Sequence, residues 1–154
     1  MLFRSDKVRL PRLLGSFEEN GNYYLVMERI KGIPLYKAVR EKNGELREGL
    51  ILGTYFIKAN QPGLGAHVCN CGYVVAPMAQ GRGVASLMCE HSQAQALAMG
   101  FKAMQFNFVV STNVRAIRLW ERLGFSVVGR LPAAFNHHQL GYVDALVMFK
   151  QLTS

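Results

Sequence analysis

The chain has 154 residues, 50% of them hydrophobic and 18% charged, which suits one compact domain with a substantial core and excludes an intrinsically disordered chain. Its formal net charge of +8 points to an anionic partner but does not choose among nucleic acid, an acidic protein and a polyanionic cofactor. Residues 51–154 carry 8 Lys and Arg against 3 Asp and Glu, yet these cations are scattered and no basic run interleaved with aromatics marks a nucleic-acid groove, so a small polyphosphate is the simplest anion.

The opening residues, MLFRSDKVRLPR, put charges where a signal peptide has its apolar segment, and no stretch of the chain reaches the roughly 18 to 20 apolar residues of a membrane span. A soluble, cytoplasmic protein without a membrane partner is expected. Arg12 to Phe17 and Tyr23 to Ile30 are strand-like runs on either side of Glu-Glu-Asn-Gly-Asn, which reads as a hairpin closed by Gly32 and Pro34. Leu35 to Lys42 offers a short helical stretch, and residues 40–49, charged around Asn43-Gly44, read as an exposed linker or hairpin tip.

From there the pattern is regular. A strand from Leu50 to Ala59 and another from His67 to Val75 are joined through Asn60 to Gly65, and the second stops at Pro77. Cys69 and Cys71 fall on one face of that strand and, with Cys89, make three thiols with no metal-binding spacing, so reduced cysteines and no metal are expected. Gly83 to Met99 reads as a helix with Val84, Leu87, Met88, His91, Ala94 and Ala98 inward and Gly100 as its stop. Lys102 to Val110 alternates with Met104, Phe106, Phe108 and Val110 on one face. Ser111 or Thr112 is placed to cap a second helix whose apolar face is Ala116, Leu119, Trp120 and Leu123 before Gly124. Strands from Phe125 to Phe135 and Tyr142 to Leu152 finish the chain, giving a mixed α/β order.

The strongest local signal is Val75-Ala76-Pro77-Met78-Ala79-Gln80-Gly81-Arg82-Gly83-Val84-Ala85, where a strand passes through a glycine-rich turn into a helix. Small residues at 81, 83 and 85 admit a bulky anion to the backbone, the first helical N–H groups lack intrahelical partners, and Arg82 adds a charge. The same glycines read equally well as a tight turn, and the spacing lacks both the P-loop Lys-Ser/Thr and the G-x-G-x-x-G pattern.

Gln80-x-x-Gly83-x-Ala85 resembles the (Arg/Gln)-x-x-Gly-x-(Gly/Ala) pyrophosphate motif of the GNAT N-acetyltransferase superfamily, and Asn113-x-x-Ala116-x-x-Leu119-Trp120-Glu121-Arg122-Leu123-Gly124-Phe125 is similar to that family's second helix and following strand. The resemblance covers about two thirds of the chain, residues 50–152. It implies a mixed, mostly antiparallel sheet with flanking helices, acetyl-CoA as co-substrate, and direct transfer of the acetyl group to a small amine or amino acid in a ternary complex. It leaves a homodimer open. It further implies cofactor contacts at Tyr73, Val74, Val75, Gln80, Gly81, Arg82, Gly83, Val84, Ala85, Asn113 and Trp120, with the thioester carbonyl near the backbone N–H of Val74 or Val75. Many relatives have a tyrosine at position 120, able to protonate the departing thiolate; Trp120 offers only an indole N–H.

A narrower resemblance joins His67-Val68-Cys69-Asn70-Cys71-Gly72, Phe106-Asn107-Phe108-Val109, Asn113 and Val143-Asp144-Ala145 to fungal N-acetyltransferases acting on azetidine-2-carboxylate and related proline analogues. It implies catalytic or substrate-binding roles for Asn107 and Asn113. Asp144, a carboxylate among apolar strand residues, is a further candidate because a carboxylate there needs a partner. Asn113 reads equally as a helix cap and Asn70 as a turn residue. His67 has a suitable unperturbed pKa for a base, His137 and His138 fall in a turn, and an ordered water is the preferred proton acceptor.

The first 40 residues are of another kind. Pro11 to Phe17 with Tyr23 to Leu35 resembles the strand pair and hinge of aminoglycoside-phosphotransferase-like kinases, but the phosphate-binding lysine, catalytic Asp and metal-binding Asp that phosphoryl transfer requires are missing. Residues 1–49 are therefore expected to form a separate hairpin and linker segment before a core at 50–154. An N-terminal part lacking the family's usual helical pair leaves open a non-catalytic acyl-CoA-binding module or an inactive fusion fragment.

Overall fold

The computed structural model describes residues 13–19, 22–27, 37–40 and 46–152, with side chains described from Leu52 onward. Eight strands and two α-helices follow one another as β1 (Leu13–Glu19), β2 (Asn22–Met27), β3 (Lys37–Arg40), β4 (Leu46–Ala59), β5 (Val68–Val75), α1 (Val84–Ala98), β6 (Ala103–Val110), α2 (Val114–Arg122), β7 (Ser126–His137) and β8 (Gly141–Gln151). Their order across the sheet is β1-β2-β4-β5-β6-β8-β7, with β3 paired to the start of β4. Among the described pairs only β5 with β6 is parallel, these two sheet neighbours being joined by the crossover through α1; each of the others is antiparallel. The mixed, mostly antiparallel sheet expected from the sequence is the observed architecture.

Residues 37–40, inside the stretch read as a short helix, form a strand instead. Lys37-Ala38-Val39-Arg40 pairs with Gly49 back to Leu46, so β4 starts earlier than the expected Leu50. Four residues are too few for periodicity to choose between helix and strand, and one turn of isolated helix has too few hydrogen bonds to compete with a ladder.

Both helices pack on one face of the sheet. The core under them contains Leu52, Tyr55, Ile57, Cys69, Cys71, Met88, Met104, Phe106, Val109, Trp120, Phe125, Leu146 and Met148. Helix α1 turns Val84, Met88, Cys89, Ser92 and Ala96 inward, whereas Ala94 and Ala98, expected on the apolar face, are exposed. Steps of four residues from Val84 define the buried line, and small alanines off it lose little by facing water. The expected glycine stop is present, with Gly100 at φ +91.

Strand β6 changes phase partway. Phe106 pairs with Met148 but Val109 pairs with Leu146, so one extra residue sits in β6, a β-bulge. The bulge turns Val109 into the core and leaves Phe108 half exposed, in place of the uninterrupted alternation through Phe108 and Val110 expected from the sequence. Phe108 instead meets the ring of Phe135 edge-on at 6.3 Å.

Candidate active site

A cleft opens where β5 and β6 part. Their pairing covers Val68–Ala103, Cys69–Met104 and Asn70–Gln105 and then ceases, although β5 continues to Val75 and β6 to Val110. Two sets of bonds fix which way the β5 backbone faces. The Val68 C=O accepts from Asn60 N–H and Ala76 N–H donates to Leu52 C=O, both on the β4 side, whereas the His67 C=O accepts from Lys102 N–H on the β6 side. Even-numbered residues of β5 therefore address β4 and odd-numbered ones address β6. Past the splay, the backbone groups of Tyr73 and Val75 face the opening, and that of Val74 faces β4. Of the two amides expected near a thioester carbonyl, Val75 is the one aimed into the cleft.

The cleft has a volume of about 340 Å³ and is lined from β4 by Phe56, from β5 by Asn70 to Tyr73, from β6 by Phe106 to Val110, and from α2 by Asn113, Ala116 and Trp120. Its apolar wall is a stack of rings: Tyr73 lies 5.0 Å from Trp120, Phe106 lies 5.1 Å from Trp120, and Phe106 lies 4.2 Å from Phe125. On the opposite face of the sheet Gly72 leaves room for Phe56, because a Cβ there would stand 2.6 Å from the ring of this cross-strand partner.

Two carboxamides, Asn107 and Asn113, stand among the polar groups of the cleft. Asn107 donates from Nδ2 to Asn60 Oδ1 at 2.7 Å and accepts at Oδ1 from Gln105 Nε2 at 2.8 Å. Asn113 caps α2, its Oδ1 accepting from Ala116 N–H at 3.2 Å, as its reading as a helix cap allows, and the cap is not Ser111 or Thr112. Asn60 and Gln105 escaped the sequence reading. Gln105 and Asn107 at alternate positions of an apolar strand are a signal that was available; Asn60 sits in a turn and is brought in by the β4–β5 register.

The titratable groups on the described cleft walls are poor bases. Burial pushes the Cys71 thiol up to about 12, and burial raises the Tyr73 phenol well above its ordinary value. Tyr73 is held by a 2.7 Å hydrogen bond between its hydroxyl and Ser92 Oγ, which itself donates to the Cys89 C=O. Asp144, expected as a catalytic carboxylate, is not among the lining residues. It accepts from Arg130 Nη1 at 2.7 Å and from Ala133 N–H at 2.9 Å, and these contacts hold its pKa below the ordinary value. The partner that an acid in this strand needs is thus supplied by β7. His67 is exposed at the opposite end of β5, bonded to Leu64 C=O at 3.1 Å, and His137 receives the N–H groups of Gln139 and Leu140 in the β7–β8 turn.

Beyond Val75 the chain makes one tight turn, Pro77–Ala79, and enters α1. Gly81 and Gly83 have φ of +73 and +76, a conformation that a Cβ disfavours, and a Cβ on Gly81 would point into open space. Gly83 is the N-cap and makes no side-chain cap, no acid occupies the first turn, and the helical ladder starts with Leu87 N–H donating to Gly83 C=O. The N–H groups of Val84, Ala85 and Ser86 consequently precede that ladder, with the positive end of the helix dipole behind them. Gln80 is exposed and Arg82 half-buried beside them. This donor set suits a diphosphate, and the strand edge at Tyr73 and Val75 suits an extended amide-bearing arm, so acetyl-CoA fits the residues present. Among the described residues no group of His, Cys, Asp or Glu comes together as a metal site, and no helix is long and apolar enough to cross a membrane.

Comparison with known proteins agrees with this geometry. A sequence profile of the Acetyltransferase (GNAT) family matches residues 17–125. The chain is 39% identical over 99 residues to N-acetyltransferase aca1 of Schizosaccharomyces pombe, an alignment covering 63% of this chain and 47% of that protein. It thus spans about half the length of that relative. Among solved structures, a GCN5-related N-acetyltransferase from Kribbella flavida superposes with a TM-score of 0.66 at 36% identity, over 86% of this chain and 68% of the other. A phosphinothricin acetyltransferase from Sinorhizobium meliloti in complex with AcCoA shares the fold, with a TM-score of 0.63 at 19% identity over 86% of this chain and 62% of the other. With its splayed parallel pair and glycine-led helix in place, the chain belongs to the acetyltransferase (GNAT) family and has the N-acyltransferase fold.

Proposed function

We propose that the chain is an acetyl-CoA-dependent N-acetyltransferase that passes the acetyl group directly to a small amine or amino acid in a ternary complex, without a metal. The observation that carries this reading is the continuity of two features: strands that part at Asn70–Gln105 and, just beyond the end of the first of them, a helix whose first amides precede the helical ladder. The name of the fission-yeast relative and the AcCoA in the S. meliloti structure support it.

Bound acetyl-CoA supplies the acyl group as a thioester. The N–H groups of Val84, Ala85 and Ser86 hold the diphosphate, Gly81 and Gly83 admit it, and Gln80 and Arg82 flank it. Tyr73 and Val75 offer backbone donors and acceptors to the pantetheine arm, which fixes its position against the acceptor. Val75 N–H is the donor we assign to the oxyanion that forms during attack. The described walls hold no carboxylate or imidazole, so a water ordered by Asn107 and Asn113 takes the ammonium proton. Trp120 packs the arm and donates no proton to the leaving thiolate; a coenzyme A thiol leaves without that help.

The finer assignment is to the branch acting on azetidine-2-carboxylate and related proline analogues, resting on Asn107 and Asn113 in the cleft. We also propose a kinase-like origin for the residues before about 49 and a cytoplasmic location; β4 runs through that position and pairs with β2 and β3, so the segment joins the sheet and is not a separate unit. A second reading, a non-catalytic acyl-CoA-binding module, is favoured by Trp120 and by the hydrogen bonds that already tie both ends of the Asn107 carboxamide to Asn60 and Gln105. Free-thiol release from acetyl-CoA with a panel of amines and cyclic amino acids separates the two. Transfer is expected, with Asn107→Ala lowering kcat by about 10- to 1,000-fold while sparing acetyl-CoA affinity. Binding without thiol release for every amine would leave only the module reading.

A further inference from the structure

The carboxamide of Asn107 does not orient itself. Its last torsion joins a tetrahedral carbon to a planar one, a broad and roughly two-fold rotation, so an isolated asparagine presents donor and acceptor in either order. Here the order is set from both sides. Phe106 turns into the core beneath the helices, and strand alternation sends Gln105 and Asn107 together to the opposite face of β6. Gln105 is the last residue of β6 in register with β5, opposite Asn70, and that pairing holds it; Asn107 lies two residues further on, where the strands have parted. Gln105 Nε2 donates to Asn107 Oδ1 at 2.8 Å, and Asn107 Nδ2 donates to Asn60 Oδ1 at 2.7 Å.

Asn60 arrives from a different part of the chain. It follows the end of β4, with β5 lying between β4 and β6 in the sheet, and its own N–H donates to the Val68 C=O at 2.8 Å, which ties it to the first residue of β5. The three half-buried amides form one line, from Gln105 through Asn107 to Asn60, anchored at both ends by backbone pairing. Linked amides polarise and fix one another, so the middle member is held more firmly than either bond alone would hold it. The two bonds use one N–H and one lone pair of Asn107 and leave one of each for a ligand. Asn107 lines the cleft, whereas Asn60 and Gln105 do not, so what these two contribute passes through Asn107.

We propose that Asn60 and Gln105 are positioning residues for acyl transfer: they fix the Asn107 carboxamide with Oδ1 towards Gln105 and Nδ2 towards the β4–β5 turn, so that its remaining N–H and lone pair meet the acceptor and its water in one order. This rests on the reading of the cleft as the acyl-transfer site and deepens it, because an Asn107 turned over would offer an acceptor where the reaction meets a donor.

Two near-isosteric changes read the direction of the line. Asn60→Asp leaves an acceptor where Asn107 Nδ2 donates and so keeps the order; Gln105→Glu puts an acceptor where a donor is needed, so Asn107 must turn over. Both add one negative charge to the same line, and charge alone would move them in the same direction. In a thiol-release assay kcat should be at least about 10-fold lower in Gln105→Glu than in Asn60→Asp, Asn60→Asp should recover activity lost in Asn60→Ala, and KM for acetyl-CoA should stay within about twofold throughout. Equal kcat in the two acidic variants, or an Asn60→Ala enzyme as fast as the unmodified chain, overturns the positioning role. The bonds themselves are read without turnover from the side-chain amide resonances of Asn107 in the isotope-labelled chain, assigned by their loss in Asn107→Asp. One of the two hydrogens should move upfield in Asn60→Ala and return in Asn60→Asp; an unmoved resonance overturns the proposal. Absence of thiol release by the unmodified chain with every amine would defeat the acetyltransferase reading and the positioning role with it, while the resonances, which need no cofactor, separate that failure from a failure of the hydrogen-bonded line.

Discussion

At the scale of single residues, polar groups under the helices are matched to partners, and this matching has a pH signature. His91 on α1 accepts or shares a proton with the Tyr55 hydroxyl through Nδ1 at 2.6 Å, and partial burial lowers its pKa. The folded state therefore favours the neutral imidazole. In the unfolded chain His91 titrates near its ordinary 6.5, so stability is fully present above that value and is lost as pH falls below it. Urea melts between about pH 8 and about pH 5 should show a falling midpoint, with a His91 share of about 1 kcal/mol at most because the ring keeps solvent access. His91→Gln should flatten that share; an identical slope in the variant would contradict the assignment. Residue-scale chemistry was only partly legible in the sequence. Asn107 and Asn113 entered only as what the family resemblance implies, and both lie on the wall of the cleft. The roles of Asn60 and Ser92 depend on which strand lies beside which, and Asp144 misleads because its partner Arg130 is brought to it by the β7–β8 register.

At the scale of elements, the cleft exists because two neighbouring strands are held apart by large side chains. Tyr73 and Phe106 rise from the two strands towards Trp120, and Phe56 lies across Gly72 from β4. Gly72→Ala should displace Phe56, since the added methyl would meet its ring at 2.6 Å, and should cost about 1 to 3 kcal/mol as an overpacking change. Chemical denaturation measures that cost, and acetyl-CoA titration should show weaker binding from a distorted wall. Unaltered stability and affinity together would mean that Phe56 moves freely and that the wall is not fixed by packing. Most elements from β4 onward, including both helices and their glycine stops, could be drawn from periodicity and punctuation to within a few residues. The β6 bulge could not, because an extra residue leaves no local signature among Phe106, Asn107, Phe108 and Val109; only the register with β8 reveals it. The same limit applied to β3, where four residues are too few for periodicity to separate strand from helix.

For the whole molecule, the decisive arrangement is the passage from β5 into α1. One strand edge lies along the cleft, and the helix that follows it opens with amides that precede its ladder, so a long ligand can be gripped at one end and threaded at the other. The glycine-rich turn was visible in the sequence; the splay that gives it meaning is seen only in the point where β5–β6 pairing stops. Calorimetric titration of acetyl-CoA into the chain and into Gly83→Val tests this arrangement most directly. Gly83 sits at φ +76, where a β-branched residue is strained, so the first turn of α1 should be displaced and its amides turned from the diphosphate. The account predicts measurable binding to the unmodified chain and a loss of at least about 10-fold in a variant whose circular dichroism is unchanged. Equal affinity for both proteins would contradict it.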